Sequence, residues 1–145
     1  MTELPFVRLD PSVELPEPAH PGDAGLDLRA AADVEVAPGA RAMVPTGLAV
    51  AIPEGHAGLV LPRSGLASRH GLTLANAPGL IDSGYRGPLV CAVVNLDRSS
   101  AVLIRRGDRI AQLVIVALPQ VRPIVVEQLP PSERGVDGFG STGTG

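Results

Sequence analysis

The sequence predicts an all-β fold, a barrel or a sandwich, with one short helix and a separate glycine-rich tail. Seventeen glycines and 15 prolines recur along the 145 residues and interrupt any long helical period. Short apolar or alternating runs lie between them, as is typical of all-β domains. Hydrophobic residues make up 45% of the chain but aromatic residues only 2%, so the core must be built from Val, Leu, Ile and Ala.

The candidate strands are short runs, rich in β-branched or alternating apolar residues and bounded by Gly, Pro, Asp or Ser. In chain order they are Phe6–Leu9, Leu26–Ala30, Val34–Val36, Ala42–Pro45, Leu48–Ile52, Gly58–Leu61, Leu72–Leu74, Leu89–Asn95, Ala101–Ile104, Arg109–Ala117 and Val121–Glu127. No internal repeat and no linker divides the chain, which predicts one β domain over residues 1–131.

A helix and a tail complete the predicted architecture. Ser64 is expected to cap a helix over residues 65–70, which Gly71 ends. After Pro130-Pro131 the composition changes to SERGVDGFGSTGTG, which has almost nothing to pack. Residues 132–145 are therefore expected to form a flexible arm.

Composition excludes several functional classes. A net charge of −3 argues against a general nucleic-acid binder. All 12 basic residues are arginine, which removes Schiff-base chemistry and the lysine of a Walker-type phosphate loop. The only cysteine, Cys91, is expected to be a small buried thiol. No signal peptide and no membrane-length apolar run is evident, so we expect a cytoplasmic protein without a membrane partner.

The segment Gly79–Gly87, GLIDSGYRG, carries the most chemistry. It indicates an apolar strand, a tight glycine turn and a second strand, which together form a hairpin. Asp82 is costly beside apolar residues unless it has partners or a function. Tyr85, the only tyrosine, offers a flat surface for a sugar or a base. The alternative is that Asp82 merely caps the turn.

Three further segments contain candidate site residues, and the first of them indicates an anion site. Arg63 stands beside the expected helix N-terminus, although an ordinary capped helix is the alternative. Asp27 faces away from Leu26 and Leu28 and is either a Mg²⁺-shell acid or a solvated strand acid. Gln112 interrupts an apolar strand and needs a partner if buried. The adjacent Asp108 and Arg109 are expected to pair only with each other.

The tail is a candidate closing element. Phe139 lies between two glycines and has no core to join, so it is expected to fold over something flat. Arg134 and the hydroxyls of Ser141 and Thr142 suit an anion. A disordered terminus is the alternative.

A zinc site is not expected, because His20, His56 and His70 lack zinc-ligand spacing.

Five of these segments, in order, resemble the five motifs of the homotrimeric dUTP pyrophosphatase (dUTPase) family. They are DAGLDL at 23–28, PRSGLASRHGL at 62–72, NAPGLIDSGYRG at 76–87, RGDRIAQL at 106–113 and RGVDGFGSTG at 134–143. The resemblance implies a jelly-roll sandwich, a homotrimer with sites shared between subunits, and Mg²⁺-dependent hydrolysis of dUTP to dUMP and pyrophosphate. That reaction supplies dUMP for thymidylate synthesis and keeps uracil out of DNA.

The resemblance also assigns roles to residues. Asp82 would be the general base, Tyr85 would pack under deoxyribose, and Asp27 would act on Mg²⁺ through water. Uracil would be held by the side chain of Asn76 and by main-chain groups around Leu80, Ile81 and Val90. Phosphates would meet Gln112 and a neighbouring subunit's Arg63, Ser64 and Gly65. The arm would bring Arg134, Phe139, Gly140, Ser141 and Thr142 to the base and γ-phosphate.

Two alternatives of other kinds stay open. One is a dCTP deaminase-like enzyme, which shares the fold but needs a catalytic glutamate. The seven glutamates, at positions 3, 14, 17, 35, 54, 127 and 133, lie outside the central motifs. The other is a nucleotide-binding regulatory module without catalysis.

Overall fold

Two four-stranded antiparallel sheets and a two-stranded ribbon form the protein, and the computed structural model describes residues 2–144. The elements are β1 (Phe6–Arg8), β2 (Leu26–Arg29), β3 (Val34–Val36), β4 (Arg41–Val50), β5 (His56–Pro62), α1 (Ser64–His70), β6 (Leu72–Leu74), β7 (Gly79–Asp82), β8 (Pro88–Asn95), β9 (Val102–Ile104) and β10 (Arg109–Ala117). The first sheet has the order β1-β4-β8-β6, the second β2-β10-β5-β7, and β3 pairs with β9. The predicted all-β, jelly-roll-like sandwich is confirmed.

A single aliphatic core lies between the sheets. Strand β8 shows how the sequence builds it, because its residues alternate between buried and more exposed positions. Leu89, Cys91 and Val93 point inward and join one cluster with Leu28 and Leu113 of the second sheet. Cys91 is buried as predicted, and burial raises the pKa of its thiol to about 12. The thiol is therefore unsuited to act as a nucleophile.

Strand β4 is longer than predicted. The sequence indicated two strands, Ala42–Pro45 and Leu48–Ile52, but a single strand runs from Arg41 to Val50. Its pairing with β8 shifts between Pro45 and Ala49, and Gly47 has a φ of +70° at this point. Gly47 therefore absorbs a bulge rather than ending the strand.

The helix ends at the predicted residue but starts one residue earlier than predicted and lacks the predicted cap. Ser64 is the first helical residue rather than the cap, the N-cap is Arg63, and no side chain caps the helix. The exposed N–H groups of this first turn are thus left available to a ligand. Gly71 ends the helix as predicted, with a φ of +66°.

Residues 119–144 contain no strand or helix. The predicted strand Val121–Glu127 is therefore wrong, and the Val125 side chain is fully exposed. β-branched composition alone predicted this strand, but a strand also needs a neighbour to pair with. Within residues 2–144, no helix has the length and apolar character needed to span a membrane.

Candidate functional site

A narrow cleft separates β7 from β8 and holds most of the predicted base-binding residues. The sequence predicted that these strands pair as a hairpin, and this is wrong: β7 is the edge of the second sheet and β8 lies inside the first. The space between them has a volume of about 190 Å³. It is lined by, among others, Asn76, Leu80, Ile81, Asp82, Tyr85 and Val90. We call this space the β7–β8 cleft.

Main-chain groups form much of the wall of the β7–β8 cleft. Strand β8 pairs with β6 only at residues 93–95, so residues 88–91 have a strand partner on the β4 side alone. The Leu89 carbonyl lies on that side, where it accepts a 2.8 Å hydrogen bond from Thr46 Oγ1. Because successive residues of a strand point their N–H and C=O groups to opposite edges, those of Val90 face the cleft. A flat ring with its own donors and acceptors can bind such an edge.

Asp82 lies at the end of β7 with its carboxylate exposed at the cleft. Its main-chain oxygen accepts the Tyr85 N–H at 3.1 Å and closes the turn. Within residues 2–144 no hydrogen bond or ion pair to the Asp82 carboxylate is found. The turn therefore uses the backbone of Asp82 rather than its side chain, which argues against a capping role and leaves the carboxylate available as a base.

Tyr85 closes one end of the β7–β8 cleft. Its hydroxyl donates a 3.0 Å hydrogen bond to the Pro88 carbonyl. Its ring lies directly over Gly87, where a Cβ atom would be only 2.7 Å from the ring carbon Cζ. Hydrogen bonding and the bare glycine surface together define where the ring lies.

A second, larger cleft of about 700 Å³ is built around an ion-pair network, and we call it the arginine cleft. Arg63 Nε lies 3.3 Å from Asp27 Oδ1, and Arg109 Nη1 lies 3.2 Å from Asp27 Oδ2. The Asp27 side chain is only 14% exposed. Asp27 is therefore not the solvated strand acid that the sequence left open, and it holds two guanidinium groups at one surface.

Gln112 lies beside Asp27 because the two residues are cross-strand partners on β10 and β2. Its Nε2 donates a 3.1 Å hydrogen bond to the Pro62 carbonyl. A Cβ atom on Gly25 would collide with Gln112 Oε1 and lie 3.2 Å from its Cδ. Because Gly25 has no side chain, the Gln112 amide can occupy this space. The Pro62 carbonyl is the hydrogen-bond partner that the partly buried Gln112 was predicted to need.

The start of the helix completes the arginine cleft. Ser64 and Gly65 line it together with Arg63, and Arg69 lies nearby. The expected Asp108–Arg109 pair is not found: Arg109 pairs with Asp27, and Asp108 accepts the N–H of Arg105 at 2.8 Å. Sequence analysis missed Arg109 as a site residue because its partner lies 82 positions away. It also missed Gly25 and Gly87, whose only signal is the lack of a side chain.

The two clefts share no lining residue on this chain, and the tail reaches neither of them. Arg134 Nε donates to the Asp137 carbonyl at 2.7 Å, and the tail's other hydrogen bonds are equally local. Phe139 is fully exposed and has a positive φ of 33°. Gly140, Ser141 and Thr142 lie in the same exposed turns. The predicted site residues thus form three separate groups on one chain.

A third space, a groove of about 850 Å³ along residues 12–19, adjoins Asp27 and Arg109 but includes none of the other predicted site residues. Within residues 2–144 no group of three His, Cys, Asp or Glu side chains is placed to hold a metal ion. Asp27 offers one hard oxygen group of the kind Mg²⁺ accepts through water.

An all-β frame with one narrow cleft walled by main chain and another rich in arginine suits a protein that binds a flat ring in the first cleft and an anion in the second. The chain belongs to the dUTPase family, whose model matches residues 12–143. It is 55% identical over 136 residues to the deoxyuridine 5′-triphosphate nucleotidohydrolase of Thermobifida fusca, covering 94% of this chain and 76% of that relative. The family inferred from the five motifs is thereby confirmed.

Solved structures of phage enzymes have the same fold. A Staphylococcus bacteriophage 80alpha dUTPase with dUPNHPP superposes with a TM-score of 0.92 and 33% identity, covering 99% of this chain and 100% of that one. A D95N mutant dUTPase from phage phi11 of S. aureus, described with a structural Mg(II) ion, gives a TM-score of 0.83 at 30% identity and covers 90% of this chain and all of that one.

Proposed function

We propose that this protein hydrolyses dUTP to dUMP and pyrophosphate, with Asp82 as the general base. The observation that carries the proposal is the unpaired Asp82 carboxylate at the rim of a cleft walled by main chain. Asp82 takes a proton from a water molecule whose oxygen attacks the α-phosphorus. The bond from the α-phosphorus to its bridging oxygen breaks, and pyrophosphate leaves. General-base assistance of this kind contributes about 10²–10⁴-fold to a rate.

The β7–β8 cleft reads the base and the sugar in this proposal. Uracil binds along the main-chain edges near Leu80, Ile81 and Val90, with the Asn76 side chain at the cleft. The cleft's small volume, about 190 Å³, supports exclusion of a ring that carries an extra methyl group. Tyr85 packs against deoxyribose and leaves no room for a 2′-hydroxyl.

The arginine cleft binds the phosphates through Arg63, Ser64, Gly65 and Gln112. The lack of any shared lining residue supports a site completed by a second copy of the chain, as in a homotrimer. One subunit then supplies Asp82 and Tyr85 while another supplies Arg63 and Gln112. In such an arrangement the Asp27 carboxylate pairs with Arg63 and Arg109 as long as no phosphate is bound.

The tail closes over the bound nucleotide, with Phe139 stacking on uracil and Arg134, Gly140, Ser141 and Thr142 reaching the base and the γ-phosphate. Its full exposure and purely local hydrogen bonds support an element that acquires contacts only with substrate. Among the described residues, 2–131 then serve as a rigid frame and 132–144 as the moving part, and the ends of the two predicted segments, Met1 and Gly145, lie outside the described residues.

Mg²⁺ is the cofactor that suits these residues. Bound mainly to the three phosphates and to Asp27 through water, it would neutralise phosphate charge. Arg63 and Arg109 hold the Asp27 carboxylate on the cleft surface, where it can orient such water molecules. The buried, free Cys91 supports a reducing compartment, and we propose the cytoplasm.

The alternatives have weaker support. A deaminase needs a catalytic glutamate, and none of the seven glutamates lines the β7–β8 cleft or the arginine cleft. A purely regulatory module has no use for an unpaired carboxylate at the cleft.

Pyrophosphate and ammonia release from dUTP, dTTP, dCTP and UTP, measured with Mg²⁺, tests the proposal. We expect pyrophosphate from dUTP, much slower release from the other three nucleotides and no ammonia. Ammonia from dCTP would instead establish the deaminase. Tight dUTP binding without turnover would establish the regulatory module.

A further inference from the structure

At Gly87, beside the β7–β8 cleft, the ring of Tyr85 rests directly on a backbone that carries no side chain. A Cβ atom there would lie 2.5 Å from the Tyr85 hydroxyl oxygen, 2.7 Å from Cζ and 3.0 Å from Cε2. Carbon atoms in favourable contact are about 3.5–4.0 Å apart. The Tyr85 ring therefore cannot keep this position beside any residue other than glycine.

Glycine is needed at position 87 because the Tyr85 side chain occupies the space of a Cβ atom, and not because of the backbone conformation. Its φ is outside the positive region, so an alanine could adopt the same backbone conformation. Two ring carbons and the hydroxyl oxygen of Tyr85 face the missing Cβ, so the whole side chain must move to accommodate a methyl group. Movement of the ring would also break the 3.0 Å hydrogen bond from its hydroxyl to the Pro88 carbonyl.

We propose that Gly87 is a positioning residue that sets the location of the Tyr85 ring, and through it the discrimination between deoxyribose and ribose nucleotides. The proposal rests on the proposed function, since it takes Tyr85 as the residue that contacts the sugar. Gly87 itself contacts no substrate in this account. It acts by allowing the ring to lie low, against the backbone of residues 87 and 88.

The chain supplies a control in the same connection between β7 and β8. Gly84 also has a φ outside the positive region, and no atom beyond its two chain neighbours lies within 4 Å of its missing Cβ. Gly84→Ala therefore adds the same methyl group next to Tyr85 in the chain without the close approach that the ring makes at Gly87. We expect Gly87→Ala to have the larger effect on the ring, and equal effects of the two substitutions would contradict a special role of position 87.

The chain also supplies a readout that does not need turnover. Tyr85 is the only tyrosine and there is no tryptophan. Tyrosine fluorescence, its quenching by acrylamide and the near-ultraviolet circular dichroism near 280 nm, roughly where tyrosine absorbs, therefore report this one ring. We expect Gly87→Ala to change both signals in the unliganded protein and Gly84→Ala to leave them as in the wild type.

Activity completes the test. We expect Gly87→Ala to reduce the ratio of kcat/KM for dUTP to kcat/KM for UTP by about ten-fold or more, the scale of a misplaced packing contact. In a Tyr85→Ala background the same substitution should cause no further loss, because Gly87 acts only through the ring. Far-ultraviolet circular dichroism of each variant establishes that it is folded. If Gly87→Ala alone fails to fold, the comparison of Tyr85→Ala with and without Gly87→Ala decides the question.

The outcomes separate this inference from the proposed function. Wild-type spectra and selectivity in Gly87→Ala would overturn the inference. Altered spectra with unchanged selectivity would also overturn it, while leaving dUTP hydrolysis intact. A wild-type protein that does not hydrolyse dUTP would overturn the proposed function, and the spectra would still show whether Gly87 positions the ring.

Discussion

The two clefts of this protein hold their functional groups in different ways. The β7–β8 cleft is walled by main-chain edges and apolar side chains, and its carboxylate, Asp82, is unpaired. In the arginine cleft the charged groups are mutually paired, with Asp27 between Arg63 and Arg109. In the proposed function the first cleft recognises the shape and hydrogen-bond pattern of the base and sugar, whereas the arginines of the second bind the phosphates in competition with Asp27. One is therefore sensitive to changes of a few tenths of an ångström and the other to changes of charge.

The largest effect is expected from changes that test whether the two clefts work in one site. Asp82→Asn removes the proposed general base, so kcat should fall by at least about 10²-fold while nucleotide binding persists. Arg63→Ala should also be poorly active because it removes a proposed phosphate ligand. When the two inactive variants are co-expressed and assembled together, part of the activity should return, since some mixed sites combine an intact Asp82 with an intact Arg63.

The control for this experiment is Glu35→Gln, which neutralises an exposed strand acid that lines neither cleft and should keep wild-type kcat. Light scattering gives the mass of each assembly. Activity that never exceeds the sum of the separate variants, or an active monomer, would contradict a site shared between chains. Hydrolysis that survives Asp82→Asn would contradict the role of Asp82.

The positions of most strands could be predicted from the alternation of apolar and polar residues. The pairing of strands that are distant in sequence could not be predicted from such a local pattern. The bounds of β3, β6 and β10 match the prediction, and a proline or an asparagine lies two residues after the end of each strand. Strands β7 and β8 were expected to pair because only a short turn separates them. They lie in different sheets because β7 pairs with β5 and β8 pairs with β4. Both of these partners are remote in sequence, so a local pattern does not indicate them.

The site shows the same limit. The motifs that contain Asp27, Arg63 and Gln112 could be recognised one by one. Their meeting in one cleft depends on the pairing of β10 with both β2 and β5, which no local pattern encodes. Glycines that matter through the absence of a side chain, such as Gly25 and Gly87, become visible only when the neighbouring atoms are known.

The second-largest effect is expected from deletion of the tail, which would contact residues of both clefts if it closes over the nucleotide. Deletion of residues 134–145 should leave the thermal midpoint and the assembly mass unchanged, because the tail's hydrogen bonds are local. Turnover of dUTP should fall by about 10²-fold, since the reacting groups lose their positioning. Phe139→Ala should cause part of this loss. Val136→Ala, which removes an equally exposed apolar side chain from the same tail, should cause almost none. Unfolding of the truncated chain would show instead that the tail is structural.

The smallest effect is expected from a methyl group in the arginine cleft. In Gly25→Ala the new Cβ would occupy the space of Gln112 Oε1, and the flexible amide would rotate away at little cost in stability. Its 3.1 Å hydrogen bond to the Pro62 carbonyl would be lost and its phosphate contact weakened. We expect kcat/KM for dUTP to fall by about ten-fold while the dUTP-to-UTP ratio stays constant. This is the opposite of the expectation for Gly87→Ala, which alters the ratio. A change of sugar selectivity in Gly25→Ala would mean that the two clefts do not divide recognition of phosphate and sugar between them.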